Sequence, residues 1–335
     1  MITPISSLLN FCLLRKSMEI VNCNLCGSDK YRVIYSMPDT RYFIDEWFNV
    51  VECTNCGLGF VNPRPTNSEM SKYYPSNFYD YFERERDYHL RRYSAEAKFL
   101  QGIASEGHRL LLDLGCANGD FPRFMQKLGW KVEGVEVSQK SRTITDFKVY
   151  KQDFREIEVY EPCYDAITAW AVLEHVHDPM AYFKKAAQVL KSGGVFVFLV
   201  TNFGSLSSRC LFLEDVPRHL YFFTEGTIKK YLEESSFDFV KAYYSNKIYS
   251  MRPINFLRYY FYRYFKKQKL DWRHTRFKSL HSFDKNTLQN PLIRKLTHLI
   301  LDPLDVIEQL LIPFYEKYQI KSKTYGIVTY MARRR

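Results

Sequence analysis

Four cysteines carry the clearest chemistry. Cys23-Asn24-Leu25-Cys26-Gly27 and Cys53-Thr54-Asn55-Cys56-Gly57 each repeat Cys-x-x-Cys-Gly. Two intervening residues let one tight turn aim both thiolates at one ion, and the glycine takes the positive φ that the turn needs. The 26 residues between the two turns leave room for a hairpin, with strands expected at Tyr31–Tyr35 and Trp47–Glu52. Such a ribbon holds Zn2+ tetrahedrally through Cys23, Cys26, Cys53 and Cys56. A closed four-thiolate site leaves no position for water, so the zinc is expected to be structural. The competing readings are a redox dithiol, which needs only one pair, and two chance pairs. The remaining cysteines are scattered singles, which argues for a reducing, cytoplasmic setting over a disulfide framework.

A second constellation is the turn Gly115-Cys116-Ala117-Asn118-Gly119. A dinucleotide fingerprint would need glycine at 115, 117 and 120, and this chain has Ala117 and Asp120 instead. Asp120 also puts negative charge at a helix N-terminus, where a pyrophosphate would otherwise sit. A ligand without phosphates suits the turn better. Glu136 lies about 20 residues on, where an acid accepts hydrogen bonds from ribose hydroxyls.

These residues need a scaffold, and residues 109–200 alternate strand and helix signals. Strands are expected at Arg109–Leu114, Lys131–Val137, Lys148–Tyr150, Asp165–Trp170 and Val195–Val200. A helix with Phe121, Phe124, Met125 and Leu128 on one face follows the turn. Another spans Met180–Leu190, with Ser192-Gly193-Gly194 as its exit. Repeated β-α units imply an α/β fold with a mostly parallel, doubly wound sheet.

Leu111-Leu112-Asp113-Leu114-Gly115-Cys116-Ala117-Asn118-Gly119 resembles the first motif of class I S-adenosylmethionine (SAM) dependent methyltransferases, with Ala117 at the middle glycine. Glu136 is similar to their ribose-binding acid and Gln152-Asp153-Phe154 to the adenine segment. Asp165–Trp170, with Val172-Leu173-Glu174-His175-Val176, resembles the fourth-strand motif, and Arg218–Thr224 the HLxxFT segment. The ribbon and Val61-Asn62-Pro63-Arg64-Pro65 resemble the zinc-ribbon branch that includes sugar C-methyltransferases. The resemblance covers roughly residues 18–245 plus the last strand. It implies a Rossmann-like seven-stranded sheet and SAM contacts from Asp113, Gly115, Cys116, Ala117, Gly119, Glu136, Val137, Asp153, Phe154, Trp170 and Ala171. Asp113 would anchor the turn or the SAM amine, Asp153 would take the adenine amine, and Trp170 and Ala171 would close over the cofactor. Trp170 reads equally well as core filling.

On the substrate side, His219 is the candidate general base and Tyr221 a weaker candidate; either also reads as structural. His175 and His177 lie in the turn after the fourth strand, and His175 is expected to orient a loop or touch the cofactor. No paired-carboxylate or Ser/His/Asp arrangement supports hydrolysis.

The chain divides into a leader (1–17), a zinc ribbon (18–65), a tyrosine-rich helical linker or lid (66–104) and the SAM-binding core (105–335), with a helical insert at 246–323 before the last strand. In the leader, Arg15 and Lys16 follow the apolar run instead of preceding it, unlike a secretory signal, and translation from Met18 is an alternative start. The Glu83–Arg92 charges read as a solvated face. Strands are expected at Phe239–Ser245 and, antiparallel, at Tyr325–Ala332.

The 335 residues have a net charge of +11, and 249–281 holds nine Lys/Arg against one acid. On a helix, Ile254, Leu257, Tyr260, Phe261, Tyr264 and Phe265 would share one side. The insert could cover the core, lie on an anionic membrane or track RNA phosphates. Two later helices look capped by Asn290-Pro291 and Asp302-Pro303. No run of apolar residues reaches membrane-span length. The composite expectation is a cytoplasmic enzyme, with peripheral contact at the inner membrane surface as an option. It methylates a small metabolite or sugar, free or nucleotide- or lipid-linked. The alternatives are an RNA methyltransferase and a non-catalytic SAM-fold binding module.

Overall fold

A computed structural model describes residues 18–42, 44, 46–74, 86–103, 109–138, 144–275 and 303–335. The leader, Tyr79 and Tyr81 of the linker, and the caps expected at Asn290 and Asp302 lie outside the described residues.

Apolar side chains fill both faces of the central strands, as a parallel sheet covered on two sides requires. On one face Leu112, Leu114, Ile167, Phe196 and Phe198 join one buried cluster. On the other, Leu111, Ala166 and Val197 pack with Phe121 and Met125. The strands are β6 (Leu110–Leu114), β7 (Lys131–Val135), β8 (Lys148–Tyr150), β9 (Tyr164–Trp170), β10 (Leu190–Thr201), β12 (Phe237–Tyr244) and β13 (Ile327–Arg334). They form one seven-stranded sheet in the order β12-β13-β10-β9-β6-β7-β8. β6, β7, β8, β9 and β10 pair in parallel, and β13 runs antiparallel between β10 and β12. The sheet has the Rossmann-like, seven-stranded form expected of class I methyltransferases, with the last strand reversed. The expected exit turn at Ser192–Gly194 is absorbed into β10, whose register shifts between Leu190 and Val195.

The connecting helices are α1 (Arg86–Ala97), α2 (Asp120–Lys127), α3 (Pro179–Val189), α4 (Leu206–Cys210), α5 (Glu225–Glu234), α6 (Phe256–Phe261) and α7 (Pro303–Lys321). Helix α2 buries Phe121, Pro122 and Met125. Leu128, expected on that face, is instead the C-cap and is about half exposed. Helix α3 starts at an Asp178 cap, whose carboxylate accepts from the Ala181 amide at 3.1 Å.

The N-terminal strands are β1 (Met18–Glu19), β2 (Tyr31–Pro38), β3 (Trp47–Cys53), β4 (Gly59–Val61) and β5 (Arg64–Pro65). β11 (Tyr221–Phe222) comes from the methyltransferase half and adds to their sheet, giving β11-β4-β3-β2. Phe48, Val50 and Phe60 of the ribbon share a buried cluster with Leu112 and Ile167. The ribbon is therefore built onto the core and not tethered beside it.

The insert departs from expectation. Of the expected apolar side, Ile254, Leu257 and Tyr260 pack against the core beside buried Phe256, but the rest of it does not. Phe261, Tyr264 and Phe265 are exposed at 37, 64 and 79%. Arg92, read as part of a solvated face, is buried and ion-paired to the buried Glu96 at 3.0 Å.

Candidate active site and cysteine cluster

β6 delivers the chain to the 115–119 turn at the carboxyl edge of the sheet, where open α/β sheets bind ligands. Gly115 and Gly119 hold φ of +67° and +79°, and Ala117 holds +47°. At Gly115 a Cβ would come within 2.7 Å of Val172, so the turn needs glycine for space as well as for conformation. The Gly115 and Cys116 amides both donate to the Val135 carbonyl, at 2.8 and 3.1 Å. Ala117 keeps its left-handed conformation beside an acid: its amide donates to Glu136 Oε2 at 2.9 Å. The Ser138 amide donates to Glu136 Oε1 at 2.8 Å.

Around this turn the expected cofactor residues take different positions. Asp113 is buried, accepts from the Thr168 hydroxyl at 2.6 Å, and has its carboxyl pushed well above the usual range by burial. The Cys116 side chain is buried against Gly134. Val137 is exposed after β7. The Asp153 carboxylate takes three bonds from Arg155, so an adenine amine would have to share it. Those bonds outweigh burial and lower its pKa. Phe154 is fully buried against Tyr182. Trp170 packs edge-on to Phe121 at 5.6 Å, and its buried indole N–H meets no partner among the described residues. Ala171 holds φ +57°.

These features fit SAM. Gly115 and Gly119 shape the turn by packing under Val172 and under Ile144 and Phe147, and Glu136 is the acid at its edge to which a ribose hydroxyl would donate. Trp170 offers an unused donor. The Asp113–Thr168 pair closes the floor.

The loop after β9 joins this turn to a second cluster. Val172 abuts Gly115, and three residues on, His175 packs against His219 with ring centroids 4.7 Å apart. His219 Nδ1 lies 2.6 Å from Glu214 Oε2, and both side chains are buried. Burial alone would lower the His219 pKa, but the Glu214 contact outweighs it and the net shift is upward. His175 is the opposite case. Burial and the neighbouring His219 push it down to about 3, while its Nδ1 sits 2.9 Å from the Arg218 carbonyl and 3.1 Å from the Tyr74 hydroxyl. Burial raises Glu174 to about 7, and its Oε2 has no partner among the described residues.

Arg218 is the fully buried fastener of this cluster. It pairs with Asp39 of the ribbon at 2.8 Å and with Asp215 at 2.5 Å, and it donates to the Tyr73 carbonyl at 3.1 Å. Tyr221 is a correction. Its hydroxyl accepts from Arg64 at 2.8 Å and donates to the His177 carbonyl at 3.1 Å, on the ribbon side of the fold. Both bonds of that phenol tie β11 to the ribbon, away from the Glu214–His219 pair. His177 Nε2 lies 3.0 Å from the Pro65 carbonyl and is likewise structural.

Glu214, Glu174, Asp39 and Arg218 were not singled out from sequence. Glu214 precedes His219 by five residues, a spacing readable as a carboxylate–imidazole pair. Asp39 and Arg218 are 179 residues apart and give no local signal.

The four ribbon sulfurs converge. Cys23 and Cys56 Sγ are 3.4 Å apart, Cys26 and Cys53 Sγ 3.6 Å, and all four lie within 4.8 Å of one another. A tetrahedron with Zn–S bonds of about 2.3 Å has edges of roughly 3.8 Å, close to this spacing. Gly27 and Gly57 close the turns at φ of +72° and +82°. Asn24, inside the first turn, donates to Asp178 at 2.9 Å and accepts from the Met180 amide at 3.0 Å, so the cluster grips the start of α3.

The sequence is similar to known methyltransferases. The family described as "Methyltransferase domain" matches residues 82–242. The ubiquinone biosynthesis O-methyltransferase of Alkalilimnicola ehrlichii is 31% identical over 116 residues, 32% of this chain and 46% of the relative. That of Hydrogenovibrio crunogenus is 30% identical over 115 residues, 31% and 48% of the two chains. The chain thus spans about half the length of these curated relatives. A SAM-dependent methyltransferase structure from Archaeoglobus fulgidus is similar at TM-score 0.45 and 18% identity, covering 76% of this chain and 99% of that one. Residues 82–242 thus match a methyltransferase domain, and the seven-stranded sheet, with its antiparallel strand between β10 and β12, has the fold expected of class I SAM-dependent methyltransferases.

Proposed function

We propose that the protein transfers the SAM methyl group to a small acceptor, a metabolite or sugar either free or nucleotide- or lipid-linked. One observation carries this reading: a single five-residue loop, 171–175, links the Gly115–Glu136 turn to the Glu214–His219 pair. When bound, SAM supplies a methyl group on a positively charged sulfur. The chain's own residues then do the rest. Glu136 holds the ribose, and the turn 115–119 packs against the remainder of the cofactor. His219 accepts the acceptor's proton at Nε2, while Glu214 fixes the Nδ1–H tautomer and stabilises the imidazolium. The curated relatives are named for O-methyl transfer in ubiquinone biosynthesis, which supports a small acceptor over RNA. Cys23, Cys26, Cys53 and Cys56 would hold a zinc ion that fixes the ribbon, and with it β11 and the base of the His219 loop.

The test is calorimetry with SAM followed by turnover across a panel of small hydroxylated acceptors. Binding with turnover supports the enzyme. Binding without turnover on any acceptor supports a non-catalytic module, and no binding ends the SAM reading.

A further inference from the structure

Helix α7 is turned inside out. Its buried side carries Glu308, Glu316 and Gln319 beside Ile312. Glu308 accepts from the Asn255 and Leu257 amides, both at 2.9 Å, and so caps α6. Glu316 accepts from the Tyr325 hydroxyl at 2.9 Å. The polar groups are therefore used inside. The outer side shows Val306, Ile307, Leu310, Leu311, Phe314 and Tyr318, with Leu310 and Phe314 each 69% exposed. Positions 306, 310, 314 and 318 are one turn apart and form a row about 18 Å long. Scattered exposed leucines are ordinary in a soluble protein, but a continuous row is an interaction surface.

The row does not stop at the helix. Tyr318 stacks on Tyr315 at 6.1 Å, Tyr315 meets Tyr260 at 6.5 Å with their hydroxyls 3.0 Å apart, and Tyr260 stacks on Tyr264 at 6.0 Å. Tyr264 lies in the 262–266 turn, where Phe261 and Phe265 stack at 5.6 Å in solvent. Cations frame this surface. Arg263, Lys266, Lys267 and Lys269 are exposed on one side, and Lys317 and Lys321 on the other. No acid occurs in 256–270. All three acids of α7 are turned away: Asp305 pairs with Arg258 at 2.7 Å, and Glu308 and Glu316 are buried.

We infer that this face docks on the surface of an anionic phospholipid bilayer, with the apolar row at the acyl boundary and the lysines among the headgroup phosphates. An apolar row with cations only is the pattern of an interfacial helix. Pairing two copies of the face would set these cations against one another with no acid among the described residues of the face to offset them. The exposed aromatics alone could stack on bases, but the aliphatic row of Val306, Ile307, Leu310 and Leu311 between them gives bases no stacking surface and suits acyl chains. The inference concerns where the protein sits and stands independently of the methyl acceptor.

The experiment is flotation of the full-length chain with two kinds of vesicle, phosphatidylcholine alone and phosphatidylcholine mixed with phosphatidylglycerol, with light scattering on the protein alone. The parent should float with the mixed vesicles and not with phosphatidylcholine alone. The double variant Leu310→Asp/Phe314→Asp should lose binding at least about tenfold while its SAM heat and melting temperature stay unchanged. Because an apolar-to-acid change can affect folding, a second variant, Lys266→Glu/Lys267→Glu, tests the charge half alone and should also lose binding, as should the parent at raised salt. The inference is overturned by a parent that stays unbound to both vesicles, by variants that bind as the parent does, or by a parent dimer that the Leu310/Phe314 variant splits.

Discussion

The Ala117 amide and the Glu136 carboxylate meet at 2.9 Å, joining the turn after β6 to the acid after β7. Two segments 19 residues apart are thus joined at the carboxyl edge of the sheet. The contact also holds Ala117 in a left-handed conformation, φ +47°, that a residue with a Cβ rarely adopts.

Glu136→Ala removes the acceptor for the Ala117 and Ser138 amides as well as the expected ribose contact. SAM affinity measured by calorimetry should fall about 10- to 100-fold. An unchanged affinity would place the cofactor elsewhere.

The Glu214–His219 pair sets a pH dependence. The His219 pKa is raised. Its base form is therefore lost as pH falls through that raised value, and kcat/KM should decline on the acid side. Glu214→Gln removes the charge that raises it, so the acid limb should move to lower pH and the plateau rate should fall. His219→Asn should cut kcat about 100-fold or more with SAM binding intact. A pH profile identical in parent and Glu214→Gln would remove this pair from the chemistry.

His175 makes a stability prediction with a definite sign. Its folded pKa is held down at about 3, below the unfolded value of about 6.5. The unfolded chain therefore takes up this proton first as pH falls. Folding stability contributed by the neutral ring is full above pH ~6.5 and is lost toward pH ~3, at about 1.4 kcal/mol per pH unit. Denaturant titrations at pH 7 and pH 5 should show a shallower loss for His175→Gln than for the parent. Equal slopes would contradict the buried neutral imidazole.

Much of this was legible in the sequence because it is local. The two Cys-x-x-Cys-Gly turns and the strand–turn–helix at 110–127 announce themselves in short windows of residue type. The rest depends on contacts between distant segments. Tyr221–Phe222 completes the ribbon sheet by pairing with Gly59–Phe60, some 160 residues away, and nothing in either segment encodes that pairing. Tyr221 read as a candidate catalytic phenol for the same reason, since its Arg64 partner is 157 residues distant. Helix α7 misleads in another way. Periodicity shows that a helix has two faces, but only tertiary bonds to Asn255, Leu257 and Tyr325 reveal that the acidic face is the buried one.

Removing the cysteine cluster should be felt beyond the ribbon. Asn24 ties the first turn to α3, and the ribbon shares its buried cluster with the core. Cys23→Ser should release zinc, seen by elemental analysis, and lower the single melting transition of the whole protein instead of unfolding the ribbon separately. Unchanged metal content would refute the ligand set, and two separate transitions would refute the shared core.

Arg218→Met leaves Asp39 buried without its partner. That costs about 3–5 kcal/mol in denaturant unfolding. A loss below about 1 kcal/mol, the range of an exposed pair, would contradict the fastening role.

The most direct measurement is a crystal structure of the protein soaked or grown with S-adenosylhomocysteine. The ribose hydroxyls should lie within hydrogen-bond distance of Glu136, with the adenosyl group over the 115–119 turn. Density for the nucleoside away from Glu136, as in the cleft lined by Arg64, Arg155 and His177 at the ribbon seam, would contradict the assignment of the site.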